Sequence, residues 1–348
     1  MKNISEIDTN LKVKTSIQKD DIKFYNSREL PFIIYGLLWE NGKFRRMPED
    51  IAKAVSENVV FLHKNTSGGR IRFKTDSSYV AISAIMESIG KGPHFALAGV
   101  GGFDLYEGNT YVRTFIPPLD METGYESIIE FEDKKLRDIT INFPLYSDVK
   151  ELYIGLADNA IITEPSNYKN KKPVVYYGSS ITQGGCASRP GMSYQNIISR
   201  RFNIDYINLG FSGSALAEDA MIEYIANLDM SVFVYDYDYN APDTKHLQNT
   251  HEKMFKAVRK QNPDIPIIIM SRPKFVLTEE EEERRLIIEA TYKNAVSSGD
   301  KNVYFIDGKM LMALCHGEGT VDNVHPTDFG FASIAKTVGD VIEENNCI

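Results

Sequence analysis

The chain has 348 residues, 43% hydrophobic and 25% charged, with a formal net charge of −9, an isoelectric point near 5.3 and a mean hydropathy of −0.28. That length exceeds what one core usually serves and predicts two domains, while the acidic balance argues against the basic face a nucleic-acid partner needs. No run is apolar and long enough to predict a membrane span, and the opening "MKNISEIDTNLKVKTSIQKDD" lacks the apolar core of a signal peptide, so a cytoplasmic location is expected. Cys186, Cys315 and Cys347 are scattered and odd in number, which predicts reduced thiols, and no CxxC pair suggests zinc.

From about Asn58 to Leu156 the segments "NVVFLH", "RIRFKT", "YVAISAIM", "HFALAG", "TYVRTFI", "SIIEFE", "DITINFP" and "ELYIGL" are short and rich in β-branched or aromatic residues. Turn-forming residues separate most of them, and several alternate apolar with polar, which predicts an antiparallel all-β sandwich of jelly-roll kind. The polar, lysine-rich "EPSNYKNKKP" then predicts a boundary: residues 1–164 as the sandwich, 165–173 as linker, 174–348 as a second domain.

Beyond it, strands and helices alternate. Val174–Tyr177, Tyr206–Leu209, Val232–Tyr235, Ile265–Met270 and Val303–Ile306 are apolar enough to be strands buried on both faces. The clearest helix starts at Thr278, where Glu281 can complete a capping box, and runs to Gly299. Glu279 to Glu283 read as a solvated face at a positive helix N-terminus rather than a cation site. The alternation predicts an α/β domain with a parallel sheet covered by helices.

Ligands of such sheets sit beyond the carboxyl ends of the strands. Gly178-Ser179-Ser180 follows the first strand, "GFSGSA" the second and "DYDYNAP" the third, and a longer loop after the last leads to "VDNVHPTDFG". A serine hydroxyl is a weak nucleophile until a base takes its proton, and acyl transfer also needs donors for the developing oxyanion. The spacing of Asp322 and His325 lets the carboxylate fold back on the imidazole, and Pro326 restricts His325 to extended or turn backbone.

Together these segments resemble the blocks of the SGNH, or GDSL-like, hydrolase family. Ser180 in "GSSIT" resembles the nucleophile, Gly213 in "NLGFSG" the glycine, Asn240 in "DYNAP" the asparagine, and Asp322 with His325 the "DxxH" end. The resemblance implies a flavodoxin-like three-layer fold from about Pro173 onward. It also implies an oxyanion hole made by the backbone N–H groups of Ser180 and Gly213 and the side-chain amide of Asn240. Two positions depart from the family pattern: Ser179 stands in place of its aspartate, and Asp238-Tyr239-Asn240-Ala241 replaces Gly-x-Asn-Asp. Both departures resemble a two-domain branch whose first domain carries Gly-x-Asp-Leu-Tyr, present here as "GFDLY", Gly102–Tyr106.

The resemblance therefore implies a serine esterase working through an acyl-enzyme, without metal or cofactor. Relatives of that branch include carbohydrate O-acetyl esterases, which makes an acetylated oligosaccharide the expected substrate; a homo-oligomer is possible. A lipase or thioesterase with the same triad, or a catalytically weak carbohydrate-binding protein, are the alternatives. Arg189 either contacts substrate or braces the turn before Pro190, and Asp104 either contacts substrate, organises a turn or faces the other domain. Asn240 can alternatively cap a helix. Trp39 is expected in the core, Asp236 and Asp238 in surface or structural roles, and Cys315 with His316 along a loop.

Overall fold

The computed structural model describes residue 8 and residues 17–348. Its N-terminal half holds two antiparallel sheets. One runs β1 (Ile22–Asn26), β11 (Ser147–Ala157), β6 (Tyr79–Ile89), β9 (Gly124–Glu130). The other runs β12 (Ile162–Thr163), β5 (Arg70–Thr75), β10 (Arg137–Asn142), β7 (Phe103–Glu107), β8 (Thr110–Phe115), with β2 (Ile33–Tyr35) also paired to β5. Because side chains alternate along a strand, each sheet turns one apolar row inward. Ile71, Phe73, Phe103, Leu105, Ile139 and Ile141 meet Val80, Ile82, Ile129, Leu152 and Ile154 in one core. A small hairpin, β3 (Leu38–Glu40) with β4 (Lys43–Arg45), flanks it.

The second half is a five-stranded parallel sheet in the order β14 (Tyr206–Gly210), β13 (Val174–Gly178), β15 (Val232–Asp236), β16 (Ile267–Met270), β17 (Val303–Ile306). Val175, Tyr177, Phe233 and Tyr235 face one helical layer, and Val174, Tyr176, Val232 and Val234 the other. This is a flavodoxin-like three-layer arrangement. The chain leaves β13 to one side and returns on the other, so the crevice at the carboxyl end of β13 is the topological switch point. At that end Gly178 pairs with Gly210 and Asp236. A Cβ on Gly178 would lie 2.2 Å from the Asp236 carbonyl oxygen, so only glycine lets these strands end side by side. No described helix is long and apolar enough to cross a membrane.

Two expectations are corrected. "NVVFLH" is not a strand: Ser56 Oγ accepts from Val59 N and caps helix Glu57–Leu62, whose Val59 and Leu62 are buried while Phe61 is exposed. "HFALAG" likewise gives a short helix, Leu97–Val100. Packing also crosses the boundary expected after residue 164. Met47, Ala52, Val59 and Leu62 belong to the hydrophobic core beneath the parallel sheet, beside Met221, Ile222 and Leu247. Just before them, fully buried Arg46 donates to the carbonyls of Gly210, at the end of β14, and of Leu62. The segment from Arg46 to Leu62 is thus built into the second domain, although its neighbours in sequence form the first.

Candidate active site

Ser180 opens helix Ser180–Gln183 directly after β13 and is only 6% exposed. Ser179 sets the bend: its N–H donates to the Asp236 carbonyl at 3.1 Å, and its Oγ accepts from Ile181 N at 3.2 Å. A serine hydroxyl thus caps the helix where the family pattern has a carboxylate. Ser180 Oγ lies 2.9 Å from His325 Nε2.

His325 sits in a tight turn. Its Nδ1 is 2.7 Å from Asp322 Oδ2, while Asp322 Oδ1 accepts from the backbone N–H of His325 at 2.7 Å and of Val324 at 3.1 Å. Asn323 adopts φ +67° to close the turn, and Val321 N donates to the His325 carbonyl at 2.9 Å. Burial alone would raise the Asp322 pKa, but hydrogen bonds from the His325 backbone and ring and from Val324 N outweigh it and hold the carboxyl at about 2. The carboxylate thereby fixes Nδ1 as the protonated nitrogen and leaves Nε2 to accept from Ser180.

Gly213 takes φ +68°, a conformation glycine adopts without strain, in the loop after β14. Asn240 Oδ1 accepts from Ala215 N at 3.1 Å, which leaves the amide NH2 as its donor end. Among the described residues, Ser180 N, Gly213 N and Asn240 Nδ2 have no hydrogen-bond partner. The Asn240 loop is anchored by Asp238, which receives Arg272 Nε at 2.8 Å and Nη2 at 2.9 Å and Arg284 Nε at 2.8 Å. Burial would raise the Asp238 pKa; the two guanidiniums overcome it and hold the group ionised. Burial, then the Asp238 charge, pushes the Asp236 carboxyl well up. Both aspartates therefore have structural surroundings.

The sandwich reaches the site with residues the sequence reading passed over. Tyr146 Oη donates to the Ser180 carbonyl at 3.3 Å, and Phe95 packs on the Tyr146 ring at 4.7 Å between centroids. His94 lies with its ring centroid 5.5 Å from that of His325. Beside them Cys186 has φ +71°, and burial followed by the Asp322 charge pushes its thiol up to about 12. One ligand atom from each of His94, Cys186 and His325 lies within 4.8 Å of the others, so an ion held there would take Nε2 or Nδ1 of the imidazole away from its present partner. The signal for His94 was its place in a Gly-Pro loop, "KGPHF".

Arg189 and Asp104 are held in one network of contacts. Asp104 is fully buried and accepts from Asn142 Nδ2 at 2.7 Å, Arg189 Nη1 at 2.8 Å and Gly191 N at 2.8 Å, so its oxygens are already engaged. Arg189 also donates to Tyr106 Oη and stacks 3.9 Å over the Tyr111 ring. These contacts brace the segment around Pro190. Trp39, expected in the core, is 40% exposed with the Arg28 guanidinium 3.9 Å above its ring. His316 stacks on Phe275 at 4.0 Å, next to buried Cys315.

Residues 171–343 match the model of the GDSL-like lipase/acylhydrolase family, and residues 22–162 match the GxDLY model, the N-terminus of SGNH-hydrolase-type esterases. Residues 171–343 form a domain of the GDSL-like lipase/acylhydrolase family. The sequence matches no curated protein. Among solved structures, the chain is similar to a protein described as a GDSL-like lipase from Bacteroides ovatus, with 27% identity, a TM-score of 0.83 and coverage of 93% of this chain and 97% of that one. It shares its fold with a family two carbohydrate esterase from Clostridium thermocellum in complex with cellohexaose, at 13% identity, TM-score 0.64 and coverage of 91% and 100%. It shares it too with an acetyl xylan esterase from the rumen bacterium Butyrivibrio proteoclasticus, at 12% identity, TM-score 0.61 and coverage of 94% and 100%. As a GDSL-like hydrolase with an SGNH-type esterase N-terminus, the chain is an esterase-type hydrolase.

Proposed function

We propose that the chain is a serine esterase that removes O-acetyl groups from carbohydrates. The observation that carries the serine chemistry is the continuous chain from Ser180 Oγ to His325 Nε2 at 2.9 Å and from His325 Nδ1 to Asp322 Oδ2 at 2.7 Å. Ser180 Oγ attacks the ester carbonyl carbon as its proton passes to Nε2, and Asp322 stabilises the resulting imidazolium. Ser180 N, Gly213 N and the Asn240 amide receive the oxyanion. The intermediate collapses as His325 returns the proton to the leaving sugar oxygen, giving acetyl-Ser180 and a free sugar hydroxyl. Water, activated by the same imidazole, then attacks the acyl-enzyme and releases acetate.

The carbohydrate acetyl preference is supported by the likeness to the carbohydrate esterase and the acetyl xylan esterase. It is tested by mass-spectrometric release of acetate from a panel of acetylated oligosaccharides, set beside hydrolysis of long-chain aryl esters. Acetylated sugars should be the better substrates by kcat/KM; long-chain esters turned over faster would make the chain a lipase.

A further inference from the structure

Between the sandwich and the hydrolase, beside helix Tyr194–Phe202, lies a cavity of about 400 Å3 that shares no residue with Ser180, Gly213, Asn240, Asp322 or His325. Its walls bring together Arg72 of β5, Lys169 of the linker and Arg200 of that helix. Arg72 is 6% exposed, yet its Nε and Nη1 have no hydrogen-bond partner among the described residues, and its Nη2 stands 3.8 Å from Asp138 Oδ1. Arg200 Nη1 is buried and equally without a partner. The two guanidiniums lie over aromatic rings, Arg72 at 4.2 Å from the Tyr168 centroid and Arg200 at 4.4 Å from that of Tyr106.

The charges on these walls do not balance. Arg70 and Arg201 also line the cavity, but each is paired outside it, Arg70 with Asp205 and Arg201 with Asp340 and Glu343. Arg72, Lys169 and Arg200 are left with the single carboxylate of Asp138. A concentrated excess of positive charge in a concave site stands against the chain's own net charge of −9. Burial pushes the Arg200 guanidinium down and outweighs the nearby Asp104 carboxylate, which is already paired with Arg189. Buried N–H groups in native proteins are almost always satisfied. Ordered water can accept from them but leaves the charge where it is. An oxyanion does both, and a planar guanidinium matches two oxygens of a carboxylate or phosphate at once.

We propose that this cavity binds a small oxyanion, the phosphate or carboxylate group of a polar metabolite, gripped by Arg72 and Arg200. Asn142 and Asn196 spend their amide N–H groups on Asp104, Pro190 and Ser193, and the Ser199 hydroxyl donates to the Ile204 carbonyl, so the amide oxygens of the two asparagines and the Thr140 hydroxyl on the same walls are what suits a ligand that carries hydroxyl groups beside its charge.

The test is thermal unfolding of the full chain during titration with sodium phosphate, with sodium glucuronate, and with sodium chloride at matched ionic strength. A saturable rise in Tm of roughly 2 °C, with one of the two oxyanions at about five times its Kd and none with chloride, is the expected result. Whichever anion gives the larger shift assigns phosphate or carboxylate. Arg200→Gln sits at the half-exposed end of its helix and should fold; it should weaken the apparent Kd about tenfold or more, the loss of one charge-assisted contact. Arg72→Gln should do the same if it folds, and Arg200→Gln carries the test if it does not. A Tm that responds to both oxyanions as it does to chloride, or a shift undiminished in Arg200→Gln, overturns the proposal.

Discussion

Asp104 of the sandwich and Arg189 of the loop after the nucleophile helix form an ion pair at 2.8 Å, and the same carboxylate oxygen accepts from Gly191 N. The pair fixes the segment that leads away from Ser180, and Ser188 in that segment also bonds Asp328, three residues after His325. Asp104→Ala leaves Arg189, Gly191 N and Asn142 without their acceptor and should cost about 3–5 kcal/mol of stability, the usual effect of breaking a buried pair. Where the variant folds, its kcat/KM should fall by the same factor on aryl acetate and on acetylated oligosaccharide. A loss confined to the oligosaccharide would return Asp104 to substrate binding.

Ser180→Ala and His325→Ala should each remove nearly all ester hydrolysis, and the double variant should be no worse than either, because nucleophile and base act as one unit. Asp322→Asn keeps the turn but offers the ring the wrong partner, and should lower kcat by about 10^4-fold. Steady-state hydrolysis of aryl acetate by the four proteins checks this; additive losses would separate the roles.

Asn240→Ala should reduce kcat by about 10²–10³-fold with little change in KM, since an oxyanion donor acts on the transition state alone. Near-normal turnover would move that role to another donor. Arg284→Met, which strips one of two guanidiniums from Asp238, should give a milder kcat loss together with a lower Tm, because it disturbs the loop and leaves the amide in place.

The parallel sheet and the four loops at its rim were legible because each leaves a local mark: a short apolar run followed by small or polar residues. Asp322 and His325 were legible because their contact closes within three residues. What escaped depends on partners far away in sequence. Asp104 in "GFDLY" reads from sequence as either a substrate contact or a residue organising a turn or facing the other domain, and only β7 shows that it meets Arg189, 85 residues on. "NVVFLH" has the composition of a strand, and it is the apolar face offered by the hydrolase core that makes a helix the better use of Val59 and Leu62. His94 and Tyr146 come to the site through the fold of the sandwich, which no spacing in the chain announces.

A fragment from residue 167 to residue 348 should fail to fold as a stable unit. It lacks Met47, Ala52, Val59 and Leu62 from its core and the Arg46 guanidinium from the end of β14. Each missing large side chain leaves a cavity of the kind that costs about 2–5 kcal/mol, together more than a domain's usual margin. Circular dichroism and a thermal melt of the purified fragment check this; a cooperative melt near that of the full chain would show that the segment is dispensable.

Acid should unfold the protein in a defined window. The Asp322 and Glu281 carboxyls are both held at about 2, below their ordinary values of 3.8 and 4.5. In each case burial acts upward and is outweighed, for Glu281 mainly by Lys274 and the Thr278 N–H. A depressed carboxyl adds stability that is present above its unfolded pKa and lost as pH falls through its folded one, so stability should decline between about pH 4.5 and 2. Asp322→Asn should flatten part of that decline in urea titrations at stepped pH; an unchanged slope would assign the acid sensitivity elsewhere.

The bond between Arg46 and the Gly210 carbonyl spans 164 residues of chain. During synthesis the ribosome delivers Arg46, Met47 and the helices that follow long before β13 and β14 exist to receive them. Their apolar face must wait in water, or under a chaperone, until the second domain has been translated. Completion of the N-terminal half is thereby tied to translation of the hydrolase half, and a ribosome that stalls in that coding region leaves a sandwich with a sticky, unspent surface rather than a finished module.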